Sequence, residues 1–215
     1  MTPALQSHAL LALCRLSPVI PVLVVEAEAD AAPLAAALVA GGLPVLEVTL
    51  RTPVALAAIA AMAKVPGARV GAGTVLSAHD AARAKKAGAE FAVAPGATPA
   101  LIDTCVARDL PLMPGAATAS EVMRLIEHGY TMQKFFPAAA AGGPGLLAAL
   151  AGPLPRAAFC PTGGISADSA PDYLALPNVV CVGGSWVAPS SLVQARDWDG
   201  ITRLAREAAA LSRRQ

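Results

Sequence analysis

Lys134 lies in the stretch Gln133-Lys134-Phe135-Phe136-Pro137 and places an ammonium group inside what otherwise reads as a buried strand. Strands covered on both faces are written in apolar residues, and an unpaired charge among them is costly unless the proton is lost. Desolvation disfavours the ammonium form, and the neutral amine it leaves can attack a carbonyl carbon to form a Schiff base. A lysine that caps the strand, reaches solvent or pairs with a carboxylate would read the same way, so the residues around it have to decide.

Alternation along a strand predicts one such neighbour, because successive residues point to opposite faces. In the stretch 44–50, Leu46, Val48 and Leu50 form an apolar face suited to packing under helices. Val45, Glu47, Thr49 and, past the strand, Arg51 share the other face. The same rule puts Met132, Lys134 and Phe136 together. Glu47 facing Lys134 is either half of a buried ion pair or a general acid/base beside a nucleophile. Four residues of strand rise about 13 Å, so Arg51 belongs at the rim with Glu47 deeper, and the chain after Leu50 must bend inward for both to reach one small substrate. At that rim Arg51 is a bidentate clamp for a carboxylate or a solvated loop arginine.

Glycine-rich turns supply the next signal. Gly71-Ala72-Gly73-Thr74 ends a strand with residues that let backbone approach a ligand and a hydroxyl that can donate to it. Thr162-Gly163-Gly164 and Gly183-Gly184-Ser185 follow the last two expected strands, each placed to offer backbone N–H groups at a helix N-terminus. Anions bind such sites, and barrel enzymes commonly hold phosphate there. His8, His79 and His128 fall on helices or the surface, and no cluster of His, Cys or carboxylate has metal-ligand spacing, so the chemistry is expected to need neither metal nor cofactor. Cys14, Cys105, Cys160 and Cys181 lack CxxC spacing and read as free thiols in a reducing cytoplasm.

The elements that must position these groups alternate. A short N-terminal helix over 1–15, amphipathic through Leu5, Leu10, Leu11 and Leu13, precedes strands over 18–25, 44–50, 69–73, 91–94, 110–113, 131–136, 158–160 and 179–182. Helices over 30–40, 53–64, 77–87, 98–108, 118–128, 143–151, 166–175 and 199–211 intervene, with Ser77 and Ser120-Glu121 as candidate N-caps. About eight repeats of this kind match a (β/α)8 barrel. A doubly wound open sheet uses the same alternation, but no GxGxxG follows the first strand. Polar residues also recur at many strand ends, Glu47, Arg51, Thr74, Lys134, Thr162 and Ser185, and a barrel gathers such ends at one mouth. The expectation is a single α/β domain over 1–215.

Composition narrows the partners. Apolar residues form 55% of the chain and aromatics 4%, so the core is built mainly from Ala, Val and Leu. The net charge of +1 is scattered, which excludes the basic stripe of a nucleic-acid binder and favours a small-molecule partner. The N-terminus lacks the basic start and cleavage site of a signal peptide, and the uncharged run over 135–155 is too broken by Pro and Gly to span lipid. A cytoplasmic protein without membrane contact is expected.

At these residues the sequence resembles the keto-deoxy-phosphogluconate (KDPG) and 4-hydroxy-2-oxoglutarate (KHG) aldolase family. The matching segments are 18–25 (PVIPVLVV), 40–52 (AGGLPVLEVTLRT), 70–76 (VGAGTVL), 134–138 (KFFPA), 159–165 (FCPTGGI) and 182–186 (VGGSW). The resemblance implies a class I aldolase on a (β/α)8 barrel, commonly a homotrimer, that splits a phosphorylated 2-keto-3-deoxy sugar acid into pyruvate and glyceraldehyde 3-phosphate. It implies Lys134 as the Schiff-base lysine, Glu47 as proton carrier, and Arg51 and Thr74 as the residues that hold pyruvate. Thr162, Gly163, Gly164, Gly183, Gly184 and Ser185 match the substrate and phosphate side, with Pro95 and Phe136 as pocket wall. Two positions depart from the family pattern: Ala139 stands where many relatives carry glutamate, and Ala94 where serine is frequent. Both departures point to the distal part of the substrate. An aldolase for the galactonate epimer or an unphosphorylated 2-keto acid, and a non-catalytic sugar-phosphate binder, are the competing readings.

Overall fold

The computed structural model describes residues 1–211; residues 212–215 of the expected domain lie outside the described residues. The strands are β1 (Val19–Leu23), β2 (Val45–Thr49), β3 (Arg69–Gly73), β4 (Phe91–Val93), β5 (Leu112–Met113), β6 (Gly115–Ala116), β7 (Met132–Phe135), β8 (Ala158–Pro161) and β9 (Val182–Gly184). Helices α1 (Pro3–Cys14), α2 (Glu28–Ala40), α3 (Ala55–Met62), α4 (Ala78–Lys86), α5 (Pro99–Ala107), α6 (Ala119–Glu127), α7 (Gly143–Ala151), α8 (Ala170–Leu174), α9 (Ser190–Gln194) and α10 (Trp198–Ala209) alternate with them. The fold is α/β. Its larger sheet is curled, all parallel, and ordered β5-β4-β3-β2-β1-β9, and a second parallel sheet runs β6-β7-β8.

Pro114 separates β5 from β6. It has no N–H to give a ladder, yet its carbonyl still accepts from Lys134 N at 2.9 Å. Single parallel bridges, Phe159 with Val179 and Thr162 with Gly183, link the β8 and β9 sides of the two sheets.

Two cores follow from strand alternation. Leu46 and Val48 of β2, Val70 and Ala72 of β3, Phe135 of β7 and Phe159 of β8 pack in the large core that the helices cover. Val45, Phe91, Val93, Met113, Met132, Cys160 and Cys181, drawn from both sheets, pack in a second cluster with Leu10, Leu13 and Cys14 of α1. That helix lies across the N-terminal strand ends through buried polar residues as well as leucines. Ser7 Oγ accepts from Thr131 N and Met132 N, and Gln6 Oε1 accepts from Leu112 N and Tyr130 Oη. Leu5, expected on the apolar face, is exposed, because Gln6 and Ser7 take the buried positions.

The expected elements recur in order, with shifted ends. The last strand is Val182–Gly184 rather than 179–182. Gly183 and Gly184 belong to it because they pair with Ile20 and Pro21 of β1, and a Cβ on either would collide with the Thr162 side chain or the Trp186 ring. Helix α8 is confined to Ala170–Leu174, with Pro171 in its first turn, and α9 was not anticipated. Ser77 caps α4 as expected, whereas α6 is capped by Thr118 rather than Ser120. Among the described residues no helix is long and apolar enough to cross a membrane.

Candidate active site

Glu47 and Lys134 come from different sheets and meet. Each lies two residues beyond a member of the enclosed apolar cluster, Val45 and Met132 respectively, so both side chains form the next layer toward the C-terminal strand ends. Lys134 Nζ donates to Glu47 Oε1 at 3.3 Å. The residues are 5% and 3% exposed, so the pair is almost closed to water. Breaking a pair this buried by removing one partner typically costs about 3–5 kcal/mol. The Phe136 ring centroid lies 5.2 Å from Nζ and adds a cation–π contact.

Strand β2 ends at Thr49, and the chain turns at once. Thr49 Oγ1 donates to Leu23 O and Thr52 Oγ1 to Val25 O, at 2.9 and 2.7 Å, which anchor the turn carrying Arg51. Arg51 Nε donates to Thr74 Oγ1 at 3.3 Å. Thr74 follows Gly73, which lies directly against the Glu47 carboxylate, so the Arg51–Thr74 and Glu47–Lys134 pairs abut. Thr74 has φ 56°, a left-handed conformation that a β-branched residue rarely adopts.

The glycine loops after β8 and β9 also come together. Thr162 bridges to Gly183, while Ala138 N and Ala139 N donate to Thr162 O and Gly163 O at 2.8 and 3.0 Å, tying in the loop after β7. The expectation that these loops sit at helix N-termini is not met: α8 begins at Ala170 and α9 at Ser190, each several residues past its loop. Loop backbone itself supplies the donors. Gly163 and Gly164 take φ 102° and 73°, and among the described residues the amides of Gly164 and Ser185 have no backbone acceptor. Pro95 and Phe136 line a cavity of about 240 Å³ with Gly96, Gly115, Ala116 and Arg124. This cavity adjoins the Lys134–Glu47 pair without containing it.

His8, His79 and His128 are exposed, and the four cysteines are buried and free. Hydrogen bonding with the Cys14 and Cys160 thiols, and then burial, push the Cys181 thiol well above its usual range, so it is an inert packing group. Among the described residues no three His, Cys, Asp or Glu side chains are grouped to hold a metal ion.

The KDPG and KHG aldolase family model matches residues 10–204. A 2-dehydro-3-deoxy-phosphogluconate aldolase of Pseudomonas aeruginosa is 49% identical over 91% of this chain and 90% of its own length. The KHG/KDPG aldolase of Escherichia coli (strain K12) is 53% identical over 89% and 90%. The chain belongs to the KDPG and KHG aldolase family. Among solved structures, the Zymomonas mobilis ZM4 2-keto-3-deoxy-6-phosphogluconate aldolase with 3-phosphoglycerate superposes with a TM-score of 0.90 at 52% identity, covering 94% of this chain and 95% of that one. The Legionella pneumophila KDPG aldolase with pyruvate captured as a covalent carbinolamine gives 0.90 at 46% identity, covering 93% and 98%.

Within this aldolase family the two departures have different weight. Ala94 is buried in the helix-side core, so it does not face the site, contrary to expectation. Ala139 is exposed beside Gly164, where a Cβ on the glycine would come within 2.7 Å of the alanine methyl. Sequence reasoning gave no role to Gly115, whose missing side chain admits the Pro95 carbonyl, or to Trp186, whose ring covers Gly184. The adjoining Gly-Gly and Trp in 182–186 were the only available signal for the second.

Proposed function

We propose that the chain is a class I aldolase that cleaves 2-keto-3-deoxy-6-phosphogluconate to pyruvate and glyceraldehyde 3-phosphate through a Schiff base on Lys134, and also cleaves 4-hydroxy-2-oxoglutarate to pyruvate and glyoxylate. The observation that carries this reading is the buried Lys134–Glu47 contact at 3.3 Å, a nucleophile and a proton carrier within reach of each other. The Lys134 amine adds to the C2 ketone, and the carbinolamine loses water to give a protonated imine. Glu47 takes the C4 hydroxyl proton, directly or through a water. The C3–C4 electron pair then flows into the imine, the aldehyde leaves, and an enamine remains. The Glu47 carboxyl group returns a proton to C3, and hydrolysis of the imine releases pyruvate and the lysine. The imine is the electron sink, so the sequence of steps requires no metal or cofactor.

Arg51 and Thr74 hold the C1 carboxylate. The Thr162-Gly163-Gly164 and Gly183-Gly184-Ser185 loops hold the distal phosphate, a role supported by their adjacency and by the amides of Gly164 and Ser185, which among the described residues have no backbone acceptor. Pro95 and Phe136 form the wall between the reacting pair and the adjoining cavity.

The same reading includes one (β/α)8 barrel over 1–215 with α1 at its base. Counting β5 and β6 as one strand interrupted at Pro114, with the β8–β9 bridges as the seam, brings the two sheets into a ring of eight. It also includes a homotrimer in the cytoplasm, for which exposed Leu76 and Met123 offer apolar surface.

Borohydride reduction in the presence of pyruvate, followed by peptide mapping, should place a stable adduct on Lys134. No adduct, or one only on Lys64, Lys85 or Lys86, overturns the mechanism. In the same preparation the phosphorylated substrate should turn over faster than its unphosphorylated counterpart, and Ser185→Asp should erase the difference. An unphosphorylated substrate preferred by the unaltered protein would assign it to the other branch of keto acid aldolases.

A further inference from the structure

We infer that Gly73 is a positioning residue for Glu47: the side chain it lacks leaves the space through which the carboxylate reaches Lys134. This inference rests on the Schiff-base reading above. Strand β3 turns Val70 and Ala72 to the helices and Gly71 and Gly73 to the enclosed side, so its inner face carries no Cβ at these two positions. At Gly71 that space is filled by the Phe91 ring. At Gly73 a Cβ would overlap Glu47 Oε1 and lie 2.6 Å from Cγ and 2.8 Å from Cδ. The Glu47 carboxyl group occupies the volume that any side chain at position 73 would take.

Backbone conformation does not explain this glycine. Gly73 is paired in a strand opposite Thr49 and is not among the residues with positive φ, so an alanine fits its backbone without strain. The conflict is with Cγ, Cδ and Oε1 of one flexible side chain and with no backbone atom, so the Glu47 side chain can turn away as a unit. Gly73→Ala is therefore compatible with the fold and incompatible with the 3.3 Å contact between Glu47 and Lys134. A displaced carboxylate loses the proton transfers at the C4 hydroxyl and at C3, whereas the lysine keeps its place for attack on the ketone. Misplacing a proton carrier removes most of a contribution that is typically about 10²–10⁴-fold.

The test measures two steps on the same samples: borohydride-trapped pyruvate on Lys134, and exchange of pyruvate methyl protons with deuterium followed by NMR. Glu47→Gln sets the scale for loss of the proton carrier. Gly73→Ala should trap pyruvate within about twofold of the unaltered protein while its exchange rate falls about 100-fold toward that of E47Q. Once Glu47→Gln has removed the proton carrier, position 73 has no carrier to displace, so Gly73→Ala should cost at least about tenfold less exchange in the Glu47→Gln background than in the native one. Exchange at the native rate in G73A, equal losses of trapping and exchange, or the same cost in both backgrounds each overturns the role of Gly73. If the unaltered protein forms no Lys134 adduct, the aldolase reading itself fails.

Discussion

Thr74 carries strain beside the chemistry. Its backbone sits at φ 56°, where an L-residue is typically about 1–2 kcal/mol less stable than in the right-handed region, and its hydroxyl accepts from Arg51 Nε. Glycine would relieve the strain and lose the hydroxyl, while adding about 0.5–1 kcal/mol of chain entropy to be lost on folding. Thr74→Gly should therefore leave stability unchanged or raise it by up to about 1 kcal/mol in thermal unfolding, while KM for the keto acid rises. A clear fall in Tm with unchanged KM would show that the hydroxyl serves the fold alone. At this scale the charged residues were the legible ones. Lys134 and Glu47 stand out because a charge in an apolar strand is costly without a partner, and Arg51 follows from the same alternation. Two of the glycines have a reason the sequence does not show. Sequence shows that a side chain is missing but not what fills its place, which for Gly73 is a carboxylate and for Gly184 an indole ring.

Element order was legible because 3.6-residue and continuous apolar patterns alternate through the chain; element ends were not, because they depend on partners distant in sequence. The start of α6 illustrates this. Ser120 looked like the cap, but Thr118 takes that place because Glu121 three residues later completes a reciprocal box. The Glu121 carboxylate accepts from Ala117 N, Thr118 N and Thr118 Oγ1 at 2.9, 3.0 and 3.0 Å. These bonds, led by the one from Ala117 N, hold its carboxyl pKa below the ordinary 4.5. A folded-state pKa below the unfolded one stabilises the protein above the unfolded value and loses that stabilisation as pH falls through the folded one. Glu121→Gln should therefore lower Tm at pH 7, and the deficit should shrink as pH is taken below about 4.5. A deficit independent of pH would assign the effect to amide geometry instead of charge. Thr118→Ala should cost about 1 kcal/mol at neutral pH, as loss of an N-cap hydroxyl does.

Across the whole molecule, stability and chemistry sit at opposite strand ends. Glu47, Arg51, Thr74, Lys134 and the glycine loops occupy the C-terminal ends, where proteins with alternating β and α units build sites. The N-terminal ends are closed by α1, and the closure is polar at its centre. Gln6 accepts from Leu112 N and Tyr130 Oη and donates to Cys105 O, all beyond the reach of water. Burial pushes the Tyr130 phenol pKa up, so Tyr130 remains a neutral donor over the working pH range. Gln6→Leu keeps the volume of the side chain but leaves two donors, Leu112 N and Tyr130 Oη, without a partner, while Cys105 O keeps its bond from Leu110 N. At about 1–3 kcal/mol for each unsatisfied group, partly relieved by relaxation, the loss should be about 2–5 kcal/mol. Thermal or denaturant unfolding measures it, while kcat/KM below the transition should stay within about twofold of the unaltered enzyme. Tyr130→Phe in the same background removes one of the orphaned groups and should recover part of the stability lost. If Gln6→Leu instead lowers kcat/KM with little change in Tm, the base and the reacting pair are mechanically coupled, and the apolar layer of Val45, Met132 and Cys160 between them is the element through which that coupling would pass.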